Sequence, residues 1–458
     1  MNEASAWEIF RDAINAMKSG WEITERGIVG PEQQFSVVKL SMGDVMSKND
    51  WRQKTSLALV AFFLLFLGTA FIRRQGVPGQ FNRLVNEAWE AVNEGYYDPN
   101  FGGANWAAIR QEFVSGNYGA REEAQTAIRQ MLARLNSPAT RFLTKEQVAA
   151  FLNEVSARPH IGTGLLELLV VDVEEQSRKL QIVTTIPNTP ARRAGLQPGD
   201  WIFAIDGFKT DGLGLTEAME KLRGPETTTT RLTIQRLRKR FEVQLARQKM
   251  PAIDRSVHAE TRQWRGQRIG YIRLDLFLDT SVEQMREAVR KLEEDRVSGL
   301  LLDLRGNPGG DVRSCLQIAA LFLGDVPLVN VNGREGLKPL RALGEQITKL
   351  PLNVLVNKGT ASAGEVLAVA LQSHQRGAIV GPTTYGKGLI HRAAQLSDGS
   401  MVLITSGSLQ TLKGAEILGR GITPDVAVNP KTGRDEQWNK AADLLLRQRL
   451  NLSSTTNK

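Results

Sequence analysis

Residues 354–391 have the sequence VLVNKGTASAGEVLAVALQSHQRGAIVGPTTYGKGLIH and set the architecture of this chain. Leu352–Val356 has the near-continuous apolar character of a strand buried on both faces. The small residues GTASAG follow, and an apolar helical pattern begins near Gly364. Ser362 is therefore predicted to lie between a strand and the positive end of a helix, where small neighbours let backbone approach a substrate. This position favours a nucleophilic serine.

The composition excludes several classes of function. With 458 residues, 41% hydrophobic and 23% charged, the chain is long enough for about two to four folded domains. Its net charge of +9 is spread along the sequence without a Lys/Arg tract, so no nucleic-acid partner is predicted. One cysteine and four histidines exclude an internal disulfide and a CxxC zinc site. We predict no metal site and no cofactor.

The N-terminal region contains one hydrophobic segment. Residues 1–54 carry no motif and are interpreted as a leader of unknown role. The apolar run at residues 55–72 follows a short basic segment, a layout shared by secretory signals and membrane anchors. Gly68–Ala70 fits a signal cleavage site, but Arg73–Arg74 directly after it is unusual for a mature start. The favoured interpretation is an anchor that makes the membrane a partner, and a cleaved signal is the alternative.

Residues 79–157 have helical periodicity. Apolar residues at i, i+3 and i+4 predict an amphipathic helix over 79–95, and similar patterns occur at 120–135 and 144–155. These patterns predict a small N-terminal helical domain with a packing or capping role.

Residues 160–248 change to short strands with turn signals. Gly162 and Gly164 flank a tight turn before the apolar strand Leu165–Val171, and TPARRAGLQPGDWIFAIDG follows at Thr189–Gly207. These residues resemble a PDZ domain, a β-barrel module. In that family the glycine-rich turn presents backbone N–H groups to the terminal carboxylate of a peptide that adds as a strand. The resemblance implies a peptide-binding site at Ile161, Gly162, Thr163, Gly164 and Leu165.

Residues 266–430 alternate strands with helices, which predicts an α/β core with parallel strands. RGNPGGD, at Arg305–Asp311, follows the apolar strand Gly299–Leu304 and precedes a helical face. The PGG turn is therefore predicted at a helix N-terminus. Residues 431–458 are interpreted as a polar, partly helical C-terminal tail.

A serine hydroxyl is a weak nucleophile unless a nearby base takes its proton. Lys387, between Gly386 and Gly388, is the leading candidate, because an apolar setting lowers the pKa of a lysine and a neutral amine accepts a proton. A solvated surface lysine is the alternative. The GxxxxGK[ST] spacing of a phosphate loop is absent.

The chain from about Phe81 to Val428 is similar to the carboxy-terminal processing peptidases of the serine/lysine type, which include tail-specific proteases and the lumenal enzymes that trim the D1 photosystem precursor. The shared segments occur in family order: LVNEAWEAVNEGYYDPNF, SPATRFL, the PDZ segment, GYIRL, LLLDLRGNPGGD, NKGTASAGE, YGKG and GITPDV. The resemblance implies a crotonase/Clp-like α/β peptidase core with Ser362 as nucleophile and Lys387 as general base. It places the oxyanion donors at the backbone N–H groups of Gly309 or Gly310 and of Ala363.

His391 departs from the family pattern, which usually has glutamine four residues after the catalytic lysine. The histidine can orient Lys387 through a ring nitrogen, or it can act as the base itself with Lys387 stabilising charge. A third possibility is a histidine at a strand edge with no catalytic task.

The predicted function is that of a serine endopeptidase that binds protein substrates by their free C-terminal tails and cleaves near that end. The resemblance implies action outside the cytoplasm, in the periplasm or thylakoid lumen. Two alternatives belong to other classes. One is a catalytically weakened, membrane-tethered PDZ scaffold, and the other is an acyl-CoA enzyme on a crotonase-like core, which the PDZ insertion disfavours.

Overall fold

The computed structural model describes residues 22–24, 27–29 and 79–455, except 136, 138, 156–159, 175–176, 187, 251–252 and 429–434. The chain divides into two units, Met1–Gln75 and Gly76–Lys458. In the first, strands β1 (Glu22–Thr24) and β2 (Gly27–Val29) pair antiparallel. The predicted hydrophobic segment at residues 55–72 lies outside the described residues. Among the helices that are described, none has the length and apolar content to cross a membrane.

The helical region follows the predicted pattern closely. Its described elements are α1 (Gln80–Gly95), a 3₁₀ turn (Phe101–Gly103), α2 (Trp106–Val114), α3 (Arg121–Ala133), β3 (Arg141–Leu143) and α4 (Lys145–Val155). Helix α1 buries Leu84, Val85, Ala88 and Val92, the stripe that its periodicity predicts. This stripe packs in one cluster with α3 and with Val402 and Ile404 of the α/β region described below. The helical region is therefore attached to the α/β region by a shared core.

The described PDZ region contains a six-stranded sheet, a separate two-stranded sheet and two short helices. Its elements are β4 (His160–Gly162), β5 (Leu165–Glu174), β6 (Ser177–Thr185), α5 (Pro190–Arg193), β7 (Trp201–Ile205), β8 (Phe208–Lys209), α6 (Leu215–Leu222), β9 (Thr229–Arg236), β10 (Lys239–Ala246) and β11 (Gln248–Met250). The sheet order is β10-β9-β7-β6-β5, with β8 paired to β7. Strands β4 and β11, where the chain enters and leaves the domain, pair with each other.

The α/β region contains two sheets. Its elements are β12 (Val257–Trp264), β13 (Gln267–Leu274), α7 (Ser281–Glu294), β14 (Leu300–Asp303), α8 (Val312–Leu323), β15 (Pro327–Gly333), β16 (Gly336–Arg341), β17 (Leu352–Leu355), α9 (Ala363–Ser373), β18 (Gly377–Gly381), β19 (Leu389–Gln395), β20 (Met401–Gln410), β21 (Val426–Ala427) and α10 (Glu436–Thr455). The first sheet has the order β12-β13-β14-β17-β18-β21, and the second has the order β16-β15-β20-β19 with β3 paired to β20.

The first sheet confirms the predicted α/β core. All of its pairs from β13 to β21 are parallel, and β14 and β17 are fully buried, as their apolar sequences predict. Helices α7, α8 and α9 contribute to the main hydrophobic cluster on one face. The carboxyl ends of β14, β17 and β18 consequently lie side by side at one edge.

The C-terminal segment differs from the predicted polar tail. Helix α10 buries Trp438, Ala441, Ala442 and Leu445 against Ile269, Leu301, Leu355 and Val380 on the other face of the first sheet. The α/β region thus includes α10 and also β12, which begins before the predicted boundary at residue 266. The apolar i, i+3, i+4, i+7 spacing in α10 is present in the sequence but is diluted by polar residues.

Candidate active site

Three loops meet at the carboxyl edge of the first sheet, as expected for a binding site in an α/β fold. The loop after β14 carries the PGG turn, the loop after β17 carries Ser362, and the loop after β18 carries Lys387. Asn357 joins the first two, because its Oδ1 accepts hydrogen bonds from the N–H groups of Gly306 and Gly359 at 2.8 and 2.9 Å. Hydrogen bonds thus fix the loops to one another.

Ser362 occupies the N-cap of helix α9 with φ of 52° and ψ of −120°. Positive φ is uncommon for a residue other than glycine, and such strain persists only where the surroundings impose it. Here the Ser362 N–H donates to Glu365 Oε2 at 2.9 Å. Ser362 is half-buried, whereas Ala361 and Ala363 on either side are buried. The turn therefore presents the serine at the surface of the site.

Glu365 is a fully buried carboxylate that joins the serine turn to the lysine loop. Its Oε2 also accepts a hydrogen bond from the Lys387 N–H at 2.8 Å. Its Oε1 accepts from the Gly386 N–H at 2.7 Å and from the Thr384 hydroxyl at 2.6 Å. Burial raises the pKa of Glu365, and these four hydrogen bonds oppose that rise by stabilising the charged form. One carboxylate therefore positions the backbone on both sides of the predicted catalytic pair.

Residues 307–310 form the turn opposite Ser362. A Cβ placed on Gly309, whose φ is +109°, would lie 2.8 Å from Ser362 Cβ and 3.0 Å from the Ala363 nitrogen. Only glycine keeps this space open. Asn307 is buried and joins the two turns, since its carbonyl accepts a hydrogen bond from the Ala361 N–H at 2.9 Å.

The predicted oxyanion donors differ in their hydrogen bonding. The Gly309 N–H donates to Asn307 Oδ1 at 2.8 Å and is therefore already engaged. Gly310 faces Phe277 in a parallel bridge that uses the Gly309 carbonyl and the Asp311 N–H, so the Gly310 N–H points to the opposite side. Within the described part of the chain, the N–H groups of Gly310 and Ala363 have no hydrogen-bond acceptor. These two groups are the stronger candidates for donors to an oxyanion.

The surroundings of His391 disfavour a cationic ring. His391 is an exposed residue of β19, paired with Thr405 of β20, and its ring lies near two positively charged side chains. Burial of the ring, and then the positive charges of Lys387 and Arg141, lower the pKa of His391 to about 4. A neutral imidazole beside Lys387 offers a ring nitrogen as hydrogen-bond acceptor.

The predicted peptide-binding residues lie in the PDZ region rather than at the edge where the three loops meet. Ile161 and Gly162 belong to β4, which pairs with β11, and Thr163 and Gly164 form the turn before Leu165. Gly164 has φ of +85°, and a Cβ there would lie 2.1 Å from the Thr189 hydroxyl oxygen. The turn therefore requires glycine, as the sequence predicts.

A direct contact connects the PDZ region to the catalytic turns. Leu165 pairs with Thr185 of β6, and the adjacent Thr184 donates a hydrogen bond from its hydroxyl to the Gly306 carbonyl at 2.9 Å. Pro198 packs against Gly359, where a Cβ would lie 2.7 Å from the proline Cγ. The PDZ region thus contacts both the loop that carries the PGG turn and the loop that carries Ser362.

Sequence reasoning missed Glu365, Asn307 and Thr184 as residues of the site. The S-x-x-E spacing from Ser362 to Glu365 is a helix-capping pattern and could have identified the carboxylate. No comparable local signal marks the other two residues. In the described residues, no group of three or more His, Cys, Asp or Glu side chains could hold a metal ion.

Comparison with protein-family models gives three matches in this chain. Residues 268–428 match peptidase family S41, residues 181–236 match the PDZ domain, and residues 81–115 match the tricorn protease C1 domain. These ranges fall in the catalytic, PDZ and helical regions, respectively.

Similar proteins cover most of the chain. A carboxyl-terminal-processing protease of Synechocystis sp. is 36% identical over 411 residues, which is 86% of this chain and 93% of the relative. Carboxyl-terminal-processing peptidase 2, chloroplastic, of Arabidopsis thaliana is 32% identical and covers 87% of this chain and 80% of the relative. The solved structure of a photosystem II D1 C-terminal processing protease superposes with a TM-score of 0.69 at 33% identity, over 77% of this chain and 94% of that structure.

Proposed function

The chain belongs to peptidase family S41 as a serine-type, carboxyl-terminal-processing protease with a PDZ domain, and we propose that it cleaves protein substrates near their C-termini with a Ser362–Lys387 dyad. The observation that carries this proposal is the Glu365 carboxylate, which binds the backbone of both residues at once. It supports a shared catalytic centre for two residues that lie on separate loops.

The proposed reaction begins when the Lys387 side-chain nitrogen accepts the Ser362 hydroxyl proton while Oγ attacks the scissile carbonyl carbon. The N–H groups of Gly310 and Ala363 stabilise the resulting oxyanion, and one such donor typically contributes about 3 kcal/mol in the transition state. The protonated lysine then gives its proton to the leaving amine as the C–N bond breaks. Water, activated by the same lysine, releases the acyl group from Ser362.

We assign His391 to orientation of Lys387 rather than to general base catalysis. With a pKa of about 4, the imidazole is too weakly basic to hold the serine proton near neutral pH. The same neutrality allows a ring nitrogen to accept a hydrogen bond from the lysine amine. This is the role that a glutamine side-chain oxygen would have at the same position.

The substrate is proposed to bind by its free C-terminal tail at Ile161–Leu165, with the carboxylate at the Thr163–Gly164 turn. Tail binding is supported by the PDZ match and by the closeness of this turn to Thr184, which contacts the catalytic loops. We place the activity on the exported side of a membrane, in the periplasm or thylakoid lumen. Fractionation of cells expressing the full chain tests that location.

Cleavage of a peptide with an apolar, free C-terminus tests the chemistry. Ser362→Ala should abolish turnover. Lys387→Ala should lower kcat by about a thousandfold or more, because the serine loses its activating base. Lys358→Ala is a matched control, since Lys358 is exposed in the neighbouring loop. It should leave kcat unchanged.

Two results would contradict this assignment. Turnover in Ser362→Ala would remove the proposed nucleophile. Activity retained in Lys387→Ala but lost in His391→Gln would make the histidine the base. If the wild-type chain binds tails without any cleavage, the PDZ scaffold function replaces the peptidase proposal.

A further inference from the structure

The β9–β10 hairpin of the PDZ region ends in a cationic tip with a leucine at its apex. Leu237 and Arg238 form the two-residue loop between the paired residues Arg236 and Lys239. Five basic and no acidic residues occur between Thr227 and Phe241. This is the most concentrated positive segment of the PDZ region.

Neither burial nor turn geometry explains Leu237. Its side chain is 88% exposed, the highest value among the large apolar residues described. Its φ of 54° lies in the left-handed region, where two-residue hairpin loops favour Asn, Asp or Gly. The fold itself therefore does not bury the leucine side chain or favour leucine at this position. An apolar partner outside the chain would bury it.

The basic side chains near Leu237 differ in whether they form ion pairs within the domain. Arg236 is paired with Asp200 at 2.6 Å and also donates to the Gly195 carbonyl, so it stabilises the domain. Arg238, Lys239 and Arg240 are exposed and form no ion pair with any described residue. The Arg240 guanidinium stacks over the Phe203 ring at 3.8 Å. Arg238 and Lys239 thus follow the exposed leucine directly, and Arg240 lies next along β10, without an acidic partner for any of the three among the described residues.

The adjoining face of the sheet is aromatic. Trp201 pairs with Gln235 next to the hairpin tip, and Trp201 and Phe203 are half-buried while the alternating Ile202 and Ala204 are buried. Tryptophan beside exposed Arg and Lys is typical of surfaces that rest at the headgroup level of a bilayer.

We propose that this hairpin tip binds the surface of an anionic lipid bilayer, with Leu237 inserted and Arg238, Lys239 and Arg240 at the headgroups. Charge alone would also fit an acidic protein or a nucleic acid. The exposed leucine with the neighbouring aromatic rings favours a membrane, because a bilayer offers anionic headgroups and hydrocarbon at the same surface.

The hairpin tip lies at the end of the PDZ sheet that faces the loops of the proposed active site. Trp201 pairs with Gln235 on one side and with Gln181 on the other, so Leu237 lies at the end of the sheet that also carries Thr184. Thr184, and Pro198 in the turn before β7, contact the loops that carry the PGG turn and Ser362. Strand β9 is about 10 Å from β6 across the sheet, at two strand spacings. A bilayer at the tip would therefore keep tails that emerge from the membrane close to the catalytic loops.

An environment-sensitive dye on Leu237→Cys in the full chain tests the contact locally. Labelling is selective because the single native cysteine, Cys315, is 1% exposed. Vesicles of phosphatidylglycerol and phosphatidylcholine should shift the dye emission to the blue, whereas pure phosphatidylcholine should not. The control is the same dye on Leu337→Cys, which is 54% exposed on β16 and should not respond. A local dye separates this contact from membrane binding by any other segment.

Charge removal tests the electrostatic part. Arg238→Gln/Lys239→Gln in the labelled chain should weaken vesicle binding about 30-fold, since each cation near an anionic surface contributes roughly fivefold. Arg290→Gln/Lys291→Gln removes the same charge from the exposed face of α7 and should change binding by less than about twofold. Salt at about 0.5 M should reduce the response, because screening shortens the electrostatic range.

Three outcomes would overturn the proposal: no dye response at position 237 with anionic vesicles, an equal response at position 337, or an equal response to polyglutamate or DNA. A dye on Arg238→Cys repeats the test if the Leu237→Cys chain does not fold. Cleavage of a soluble peptide, measured on the same proteins, should be unchanged. A membrane result and a failure of the proposed chemistry are therefore distinguishable.

Discussion

Replacing Glu365 with glutamine removes the charge that holds the serine turn and the lysine loop together, with almost no change in shape. A glutamine side chain has one oxygen and one NH2 group in place of two acceptor oxygens. If the NH2 group takes the place of Oε2, it faces the N–H groups of Ser362 and Lys387. If it takes the place of Oε1, it faces the Gly386 N–H and the Thr384 hydroxyl, which already accepts from the Ile422 N–H at 2.7 Å.

The second arrangement costs less, because it preserves the hydrogen bonds to Ser362 and Lys387. It still loses a charge-assisted bond from Gly386, worth about 1.5–3 kcal/mol, and leaves a buried N–H unsatisfied at about 1–3 kcal/mol. The resulting displacement of the lysine loop should lower kcat by about 100- to 1,000-fold, the equivalent of roughly 3–4 kcal/mol. KM should change little, since the proposed tail-binding turn lies in the PDZ region.

The free energy of unfolding should change less than kcat does. Burial raises the pKa of Glu365, so keeping the side chain ionised in the folded state lowers the free energy of unfolding at pH values above the ordinary pKa of glutamate. The neutral amide removes that penalty and offsets part of the lost hydrogen bonding. Steady-state kinetics with a free-acid peptide, together with urea unfolding at pH 7, separates the two effects.

Glu345→Gln is the matched control, because Glu345 is an exposed glutamate of the same domain. It should leave both kcat and the urea midpoint unchanged. Wild-type kcat in Glu365→Gln would refute a positioning role for the carboxylate. A loss of activity that only parallels unfolding would reduce Glu365 to a stabilising residue.

Three further predictions concern the surroundings of the dyad. Thr184→Val should lower kcat/KM for peptide cleavage up to about tenfold, because it removes one neutral hydrogen bond to Gly306. Thr185→Val should leave kcat/KM unchanged, because the buried Thr185 hydroxyl has no partner among the described residues. Equal effects of the two substitutions would contradict a role for the Thr184–Gly306 hydrogen bond. Gly309→Ala should lower kcat by about a hundredfold or more, since the new methyl group would fill the space between Ser362 and the Ala363 nitrogen; Gly266→Ala, with φ of +76° but no atom within 4 Å, controls for backbone strain. His391→Gln should keep a pH profile of kcat/KM without an inflection between about pH 6 and 7, and should flatten the loss of stability on acidification. Because the pKa of His391 is lowered to about 4 in the folded state, its neutral ring contributes stability above the unfolded pKa of about 6.5, and this contribution is lost as the pH falls from about 6.5 towards 4. An inflection of wild-type kcat/KM near pH 6.5 that disappears in His391→Gln would support the histidine as base.

Local sequence patterns were sufficient to predict the segments of the site that consist of a single strand and the turn after it. Ser362 and the PGG turn each follow a buried apolar strand, and Lys387 follows β18 in the same way. Parallel strands bring their carboxyl ends to one edge, so the juxtaposition of these three loops followed from the α/β pattern. The glycine requirement at Gly164 followed from the PDZ resemblance.

The remaining parts depend on contacts between distant segments. Glu365 reaches Thr384, Gly386 and Lys387 only because β17 and β18 are neighbours in the sheet. The Asn307 side chain accepts a hydrogen bond from the Gly309 N–H and not from the adjacent Gly310 N–H. Sequence periodicity does not indicate which of these two N–H groups is used. The apolar face of α10 was obscured because its buried residues are interspersed with charged and amide side chains. Each of these features requires the tertiary arrangement.

The contacts around Ser362 also bear on how substrate binding and chemistry are connected. Asn307 and Asn357 link the PGG and serine turns, and Glu365 links the serine turn to the lysine loop. Thr184 links the PGG turn to the strand beside the proposed peptide-binding turn. No single loop holds the complete catalytic arrangement. A shift of β6 by a few tenths of an ångström on tail binding would therefore act directly on Gly306, only a few residues before the proposed oxyanion donor. We therefore expect the free C-terminus to affect catalysis as well as affinity, so that an amidated peptide has a lower kcat and a higher KM than the free-acid peptide.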